Sequence, residues 1–409
     1  MGNIWGRTPP EAIPNPKSVV QLSYENIPII NKIYDIIKPI VPLDIKLNAR
    51  GKLPREINVS PLSRDEFSKS LVDIFNGKEK PLSIMKFLPV RNIILQDIDM
   101  SSTRERSDRK NLYFGQQIGG GTYGSIHLSK YFNDDDNVPK FCVAKKTKYE
   151  SDESNESNES NDRNDRDKTN NLFIEEMLTS ILLHENTKIL GGVFPEIISC
   201  YNTNEGLVMQ MELLNIDLDS FFQDPRMISE QIPILIIISY YIYWLQENYH
   251  FVHGDLHCRN IMLKKENFEF KIGETRIRTS YKPYFIDLGM VCVDLSRFHL
   301  TKIRVHGGPY DNSNYCQNKS QDLRLLLFCL LDDRNTPVNT FINDLFSKSK
   351  YIYEYARLFK SKRHRSHALY DDVSTIHDEN FYPSYILTHL MAEESKKHSK
   401  EESKDESME

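Results

Sequence analysis

The chain has 409 residues, a length that suggests two or three structural units and allows a sizeable buried core. Hydrophobic residues make up 39% and charged residues 27%, which excludes a wholly disordered or collagen-like chain. With 52 basic against 58 acidic residues the formal net charge is −6, so no nucleic-acid partner held by a basic surface is expected.

Residues 1–110 form an N-terminal extension rich in Pro and Ile, with no catalytic pattern and no assigned role. Met1 to Trp5 lacks the basic start and apolar core of a signal peptide. Gly6 stands where a myristoylation pattern needs Ser or Thr. Pro28 and Pro39 interrupt the apolar run from Tyr24 to Val41. Ser63-Arg64-Asp65-Glu66 has the form of a capping box before Phe67, Leu71, Ile74 and Phe75, and Gly77 follows. This predicts an amphipathic helix over 63–76.

Residues 112–148 read as strands. Residues 150–170 are a polar triplet repeat of Glu, Ser, Asn and Asp without an apolar side chain, and are predicted to be a disordered acidic insert. A helical pattern starts at Leu172, and the sequence stays mixed to Met391. The apolar run Ile232–Leu245 falls short of 18 residues and contains Ser239, so it reads as a buried helix and no membrane span is expected. Residues 392–409 are nearly all Glu, Ser, Lys and Asp and are predicted to be a disordered charged tail. None of the six cysteines forms a C-x-x-C pair, so reduced thiols are expected. The 40 Ile and 31 Asn against 6 Ala point to A/T-rich codons.

Four motifs carry chemistry. Ile118-Gly119-Gly120-Gly121-Thr122-Tyr123-Gly124-Ser125-Ile126 contains G-x-G-x-x-G. The alternation in Ile126-His127-Leu128-Ser129 predicts a strand after the last glycine. The glycines then lie in a hairpin, where backbone N–H groups can approach a polyphosphate. Val143-Ala144-Lys145-Lys146 offers a lysine for the phosphates. Lys146 fits the V-A-x-K spacing. Neighbouring strand residues face opposite sides, so only one of the two lysines can serve. Glu176 is the expected acidic partner, with Glu175 as the alternative. His253-Gly254-Asp255-Leu256-His257-Cys258-Arg259-Asn260 matches H-x-D-L-x-x-x-N. Asp287 ends an apolar strand in Asp287-Leu288-Gly289.

These motifs, in this order over residues 111–391, resemble the protein kinase family, and most resemble atypical, haspin-like kinases and putative serine/threonine kinases of giant DNA viruses. The resemblance implies an α+β, bilobal fold with an antiparallel-sheet N-lobe and a mainly helical, reduced C-lobe. It implies ATP and Mg2+ as cofactors and transfer of the γ-phosphate to Ser/Thr hydroxyls of a protein substrate. Asp255 would take or orient the hydroxyl proton and Lys146 would hold phosphates. Asn260 and Asp287 would bind the metal. The backbone from Glu212 to Leu214 would pair with adenine, behind Met211, and Asp217 would meet the ribose. Asp322 would prop the catalytic loop. The implied location is intracellular, in the cytoplasm, or in the host cytoplasm or virion for a viral protein.

Departures from the family pattern are Gly254 in place of arginine, His257 in place of lysine, a long stretch between Asn260 and Asp287, and no Ala-Pro-Glu after Asp287. A choline/aminoglycoside-type small-molecule kinase shares the His-Gly-Asp-Leu-His loop, and a pseudokinase scaffold is the non-enzymatic alternative.

Overall fold

Between Phe173 and Leu183 the apolar residues recur at helical spacing, and this stripe lies at the centre of the protein. A computed structural model of the chain describes residues 28–37, 64–75, 78–95, 98, 111–120, 124–132, 139–147, 159–203, 205–293, 318–331, 334–351 and 378–405. The fold is α+β. Helices α1 (Pro28–Ile37) and α2 (Arg64–Phe75) precede a 3-10 turn (Pro81–Phe87) and strand β1 (Val90–Leu95). Strands β2 (Asn111–Gly120), β3 (Gly124–Phe132) and β4 (Pro139–Thr147) lead to helix α3 (Glu159–Asn186). Strands β5 (Ile197–Thr203) and β6 (Gly206–Glu212) follow, then the short β7 (Ile216–Asp217) and helices α4 (Leu218–Gln223) and α5 (Ile228–Tyr249). Strands β8 (Ile261–Ile272) and β9 (Thr275–Phe285) form a long hairpin. Helices α6 (Gln321–Leu330), α7 (Pro337–Lys348) and α8 (Pro383–Asp405) complete the order.

Six strands close into a barrel in the order β1-β2-β3-β4-β6-β5. The sheet is mixed, not purely antiparallel as expected, because β1 runs parallel to both β2 and β5. Contacts cross the expected boundary at residue 110. Part of the extension supplies a strand of the barrel, and Ile30, Ile33, Phe67, Leu71, Ile84 and Phe87 share one apolar core with Phe173, Met177 and Leu178 of α3. A helix and strand with an apolar face must bury it against another element, and these do so against α3 and β5. The predicted helix over 63–76 is found as α2, whereas its cap residues Ser63 and Gly77 lie outside the described residues.

Helices run into both segments expected to be disordered. Residues 159–170 are helical, as the first turns of α3, and the expected tail is helical as far as Asp405 in α8. Each segment is polar, but each adjoins a packed apolar nucleus: Phe173–Leu183 in α3, and Ile386, Leu387 and Leu390 in α8. Nucleation is the costly step of helix formation. Propagation from an existing turn costs little through the Glu and Lys of α8 and several tenths of a kcal/mol per residue through the Asn and Asp of 159–170.

Helix α5 is the run read as a buried helix. With the preceding turn, Pro225–Tyr249 is long and apolar enough to cross a membrane by length and composition, yet most of it is inside the fold. Ile234–Ile238, Tyr241, Ile242 and Leu245 are fully buried. The β8–β9 hairpin lies on this helix, with the Phe270 ring edge-on to Tyr240 and Tyr241. The thiols of Cys142, Cys200, Cys258 and Cys329 are not in disulfides. Cys292 is disulfide-bonded, against the expectation of reduced thiols, since pairing follows spatial approach and not spacing along the chain.

Candidate active site

The β2–β3 hairpin forms as expected, with Gly119 opposite Ile126 and Gly120 opposite Ser125. Gly121, Thr122 and Tyr123 at its tip lie outside the described residues. Ile118 is half exposed near the tip. Gly124 is needed for space: a Cβ there would stand 2.7 Å from the Lys146 carbonyl oxygen. The absent side chain lets β4 come close behind the loop.

Strand β4 pairs with β3 and β6, placing Lys145 between Ile126 and Met209, and Val143 between Leu128 and Met211. Directly opposed residues share a face, so Ile126, Leu128, Val143, Lys145, Met209 and Met211 lie on one side of the barrel wall. Cys142 and Ala144 face the other way and are fully buried. The two neighbouring lysines therefore face opposite sides of β4. Lys145, not Lys146, reaches Glu176, with Nζ 2.6 Å from Oε1, and Asp287, 3.0 Å from Oδ1. Lys146, on the opposite parity, pairs with Glu205 at 2.5 Å. Glu176 is the acidic partner as expected. Glu175 instead accepts from Asn171 Nδ2 at 2.9 Å.

The Lys145 and Glu176 side chains are 12% and 9% exposed, that of Asp287 50%. Burial opposes the Lys145 charge, but the two carboxylates outweigh it and hold its ammonium above the ordinary lysine range. Burial pushes the Glu176 carboxyl up while Lys145 pulls it back. Lys145 holds Asp287 below the usual carboxylate range despite its partial burial. One cation thus meets two carboxylates, and the cluster has negative charge left over. Asp287 has φ 61° and ψ 72°, a left-handed backbone that an aspartate tolerates at a cost. This conformation turns its carboxylate toward Lys145.

The 253–260 loop is held from three sides. Asp322 Oδ2 accepts the His253 N–H at 2.8 Å and its Oδ1 accepts the Gly254 N–H at 3.1 Å. His253 Nε2 donates to the Ile286 carbonyl at 3.0 Å. Burial lowers His253 to about 4, so it is neutral, and Nδ1 is left as an acceptor for the Asp255 N–H. The Ile286 N–H donates to the Asn260 carbonyl at 3.0 Å. Gly254 has φ 83°, where an arginine would be strained. This gives the departure at that position a backbone reason.

Asn260 Nδ2 donates to the Asp255 carbonyl at 2.8 Å and to its Oδ2 at 3.3 Å. That leaves Oδ1 as the oxygen of Asn260 to which no described residue donates. Burial first, then the Asp287 charge, raises Asp255 to about 7. His257 Nδ1 accepts from the Arg259 N–H, and its Nε2 lies 3.8 Å from Asp255 Oδ1.

The Glu212–Leu214 backbone, expected to pair with adenine, is partly engaged already. The Glu212 N–H is committed to the Glu196 carbonyl at 3.0 Å, and its carboxylate to Lys264 at 2.5 Å. The Leu214 N–H has no partner among the described residues and remains open. Asp217 caps α4, accepting from Ser220 N at 2.9 Å. Lys264 and Asn171 were missed in the sequence. Their signal is the register of β8 and the half-buried turn of α3 just before Phe173, which a linear motif does not contain.

No group of three or more His, Cys, Asp or Glu suited to a metal occurs among the described residues. The expected ligands Asp287 and Asn260 would offer one carboxylate and one amide oxygen, with Asp255 held by Asn260 alongside. That set suits a hard cation that keeps several waters and shares substrate phosphates, and it does not suit a closed protein cage. No protein-family model matches the chain, and no curated protein matches it.

Proposed function

We propose that the chain is an ATP-dependent phosphotransferase acting on Ser/Thr hydroxyls of proteins. The observation that carries this reading is the convergence of Lys145, Glu176 and Asp287 from segments far apart in sequence, beside the Asp255–Asn260 pair. On this reading the β1–β6 barrel and α3 act as the smaller, nucleotide-holding lobe. The part from α4 to α8 acts as the larger lobe, with the site between them.

The residues divide the work by chemistry. Lys145, fixed by Glu176, presents a point charge to the phosphates. The open Leu214 N–H and the apolar wall of Ile126, Val143 and Met211 suit a planar base. Asp287 and Asn260 would hold Mg2+, which neutralises phosphate charge when bound. Asp255 orients the acceptor hydroxyl and takes its proton, its carboxylate aimed by Asn260. Transfer then rests on positioning and charge neutralisation and needs no covalent intermediate.

The test is incubation with ATP labelled at the γ-phosphate, magnesium, and separately a protein mixture and a metabolite mixture. Label on Ser/Thr of proteins, lost in Asp287→Ala, supports the proposal. Label only in metabolites moves the acceptor to small molecules. ATP binding without transfer to either mixture makes the chain a scaffold.

A further inference from the structure

We infer that residues 28–95 act as a built-in brace that fixes the helix carrying Glu176, so that the Lys145–Glu176 pair is assembled without a second protein or a phosphate. This inference rests on the proposed function for its meaning, though not for its test.

Helix α3 is held against the barrel on one side by Glu176. Around the rest of its circumference it carries Phe173, Ile174, Met177, Leu178 and Ile181, all buried in the common core. Helix α1, with Ile30 and Ile33, and the 3-10 turn, with Ile84 and Phe87, pack on α3, while α2, with Phe67 and Leu71, packs behind them on α1 and the turn. Aromatic rings run through this layer: Phe67 meets Tyr34 at 5.5 Å and Phe87 at 5.3 Å, both edge-on. Without α1 and the 3-10 turn, the part of this surface that they cover would be open to water.

Polar contacts fix the register of the layer on the helix. The Leu82 N–H donates to Asn171 Oδ1 at 3.2 Å, and Asn171 Nδ2 donates to Glu175 at 2.9 Å. Asn170 is buried, and its Nδ2 lies 3.9 Å from Met85 Sδ. At the far end Lys32 bridges Glu185 of α3 and Glu196 before β5, at 3.9 and 3.5 Å. The brace is thus tied at both ends of the described contact. Its strand β1 completes the barrel that carries Lys145, so one segment positions both members of the ion pair.

The consequence is mechanical. A buried ion pair is favourable only when geometry is held closely, and a helix packed on one face alone can swing. Asn171 and Phe87 act on transfer through Glu176 and are positioning residues.

The experiment uses the full chain with Phe87→Ala, Asn171→Ala and, as a distal control buried in α7, Leu345→Ala. Asn171→Ala covers the case in which Phe87→Ala does not fold. Hydrogen exchange of amides 173–180 is measured without nucleotide, alongside kcat/KM for ATP. The brace predicts at least tenfold faster exchange in that stretch and at least tenfold lower kcat/KM for the two brace variants. The control should change either by less than twofold at a comparable loss of Tm. Unchanged exchange in both brace variants, or equal acceleration in the control, overturns the inference. Accelerated exchange confined to the brace variants, in a protein whose wild type transfers no phosphate, upholds the brace and removes the proposed function.

Discussion

Asp322 holds the backbone N–H groups of His253 and Gly254 on its two carboxylate oxygens, at 2.8 and 3.1 Å, across nearly seventy residues of chain. Burial raises its carboxyl to about 6, and the two N–H groups pull it back. Each hydrogen bond to a charged group contributes about 1.5–3 kcal/mol. Asp322→Ala should therefore destabilise the protein by about 3 kcal/mol or more and abolish transfer. Asp322→Asn keeps one acceptor and should fall between it and wild type. Denaturant midpoints order the three proteins, and an Ala variant as stable as wild type would refute the role.

The two adjacent lysines should separate cleanly. Lys145→Met strands two carboxylates, and loss of one partner of a buried pair costs about 3–5 kcal/mol. Phosphotransfer should fall by a hundredfold or more in the fraction that remains folded. Lys146→Met breaks only a partly exposed pair with Glu205, worth at most about 1 kcal/mol, and should keep transfer within twofold. Initial rates on protein shown to be folded by circular dichroism decide between them.

Asp255 couples activity to pH and opposes stability. Its folded value, about 7, lies above the ordinary value near 3.9. The folded state therefore holds this proton more tightly, and stability falls as pH rises from about 4 to about 7. Each unit corresponds to about 1.4 kcal/mol, reduced by screening at a partly exposed group. Asp255→Asn should be inactive and yet more stable than wild type at pH 8, by on the order of 2 kcal/mol. The gain should shrink as pH is lowered toward 4. In the wild type kcat/KM should rise with pH as the base loses its proton. Thermal melts at pH 4, 6 and 8 test the stability half.

The glycines of the loop should not respond alike. Gly124→Ala drives a Cβ to 2.7 Å from the Lys146 carbonyl oxygen, so β4 must shift and carry Lys145 with it. Nucleotide affinity should drop tenfold or more. Gly119→Ala meets only Ile126, at 3.7 Å, an ordinary contact, and should bind ATP within threefold of wild type. Titration of both variants with ATP and magnesium gives the comparison.

The hairpin, the buried helix α5 and the 253–260 loop were legible because each depends on local chemistry: glycine freedom, apolar runs, and a polar loop at fixed spacing. The choice between Lys145 and Lys146 was not. Both follow Val143-Ala144, and the V-A-x-K spacing selects Lys146, whereas parity decides the matter. Cys142 and Ala144 face the buried side, which leaves Val143 and Lys145 on the other, and only the pairing with β6 shows which face meets α3. The helical turns over 159–170 were hidden because their sequence carries no apolar signal. Their order comes from the packed turns that follow. The layer formed by residues 28–95 was equally hidden, since an apolar stripe does not name the surface that will cover it.

The barrel closes through a strand that is made first and paired last. Val90 and Arg91 lie opposite Asn202 and Thr203, so during synthesis β1 has only β2 to pair with until more than a hundred further residues have emerged. Closure of so long a loop is slow relative to local hairpins, because its entropy must be spent before any contact is gained. Until then β1 presents an unpaired edge, with Val90 and Leu95 exposed even in the finished fold. The β2–β3–β4 meander should therefore form early, and the chain should be most prone to mispairing in the interval before β5 and β6 arrive.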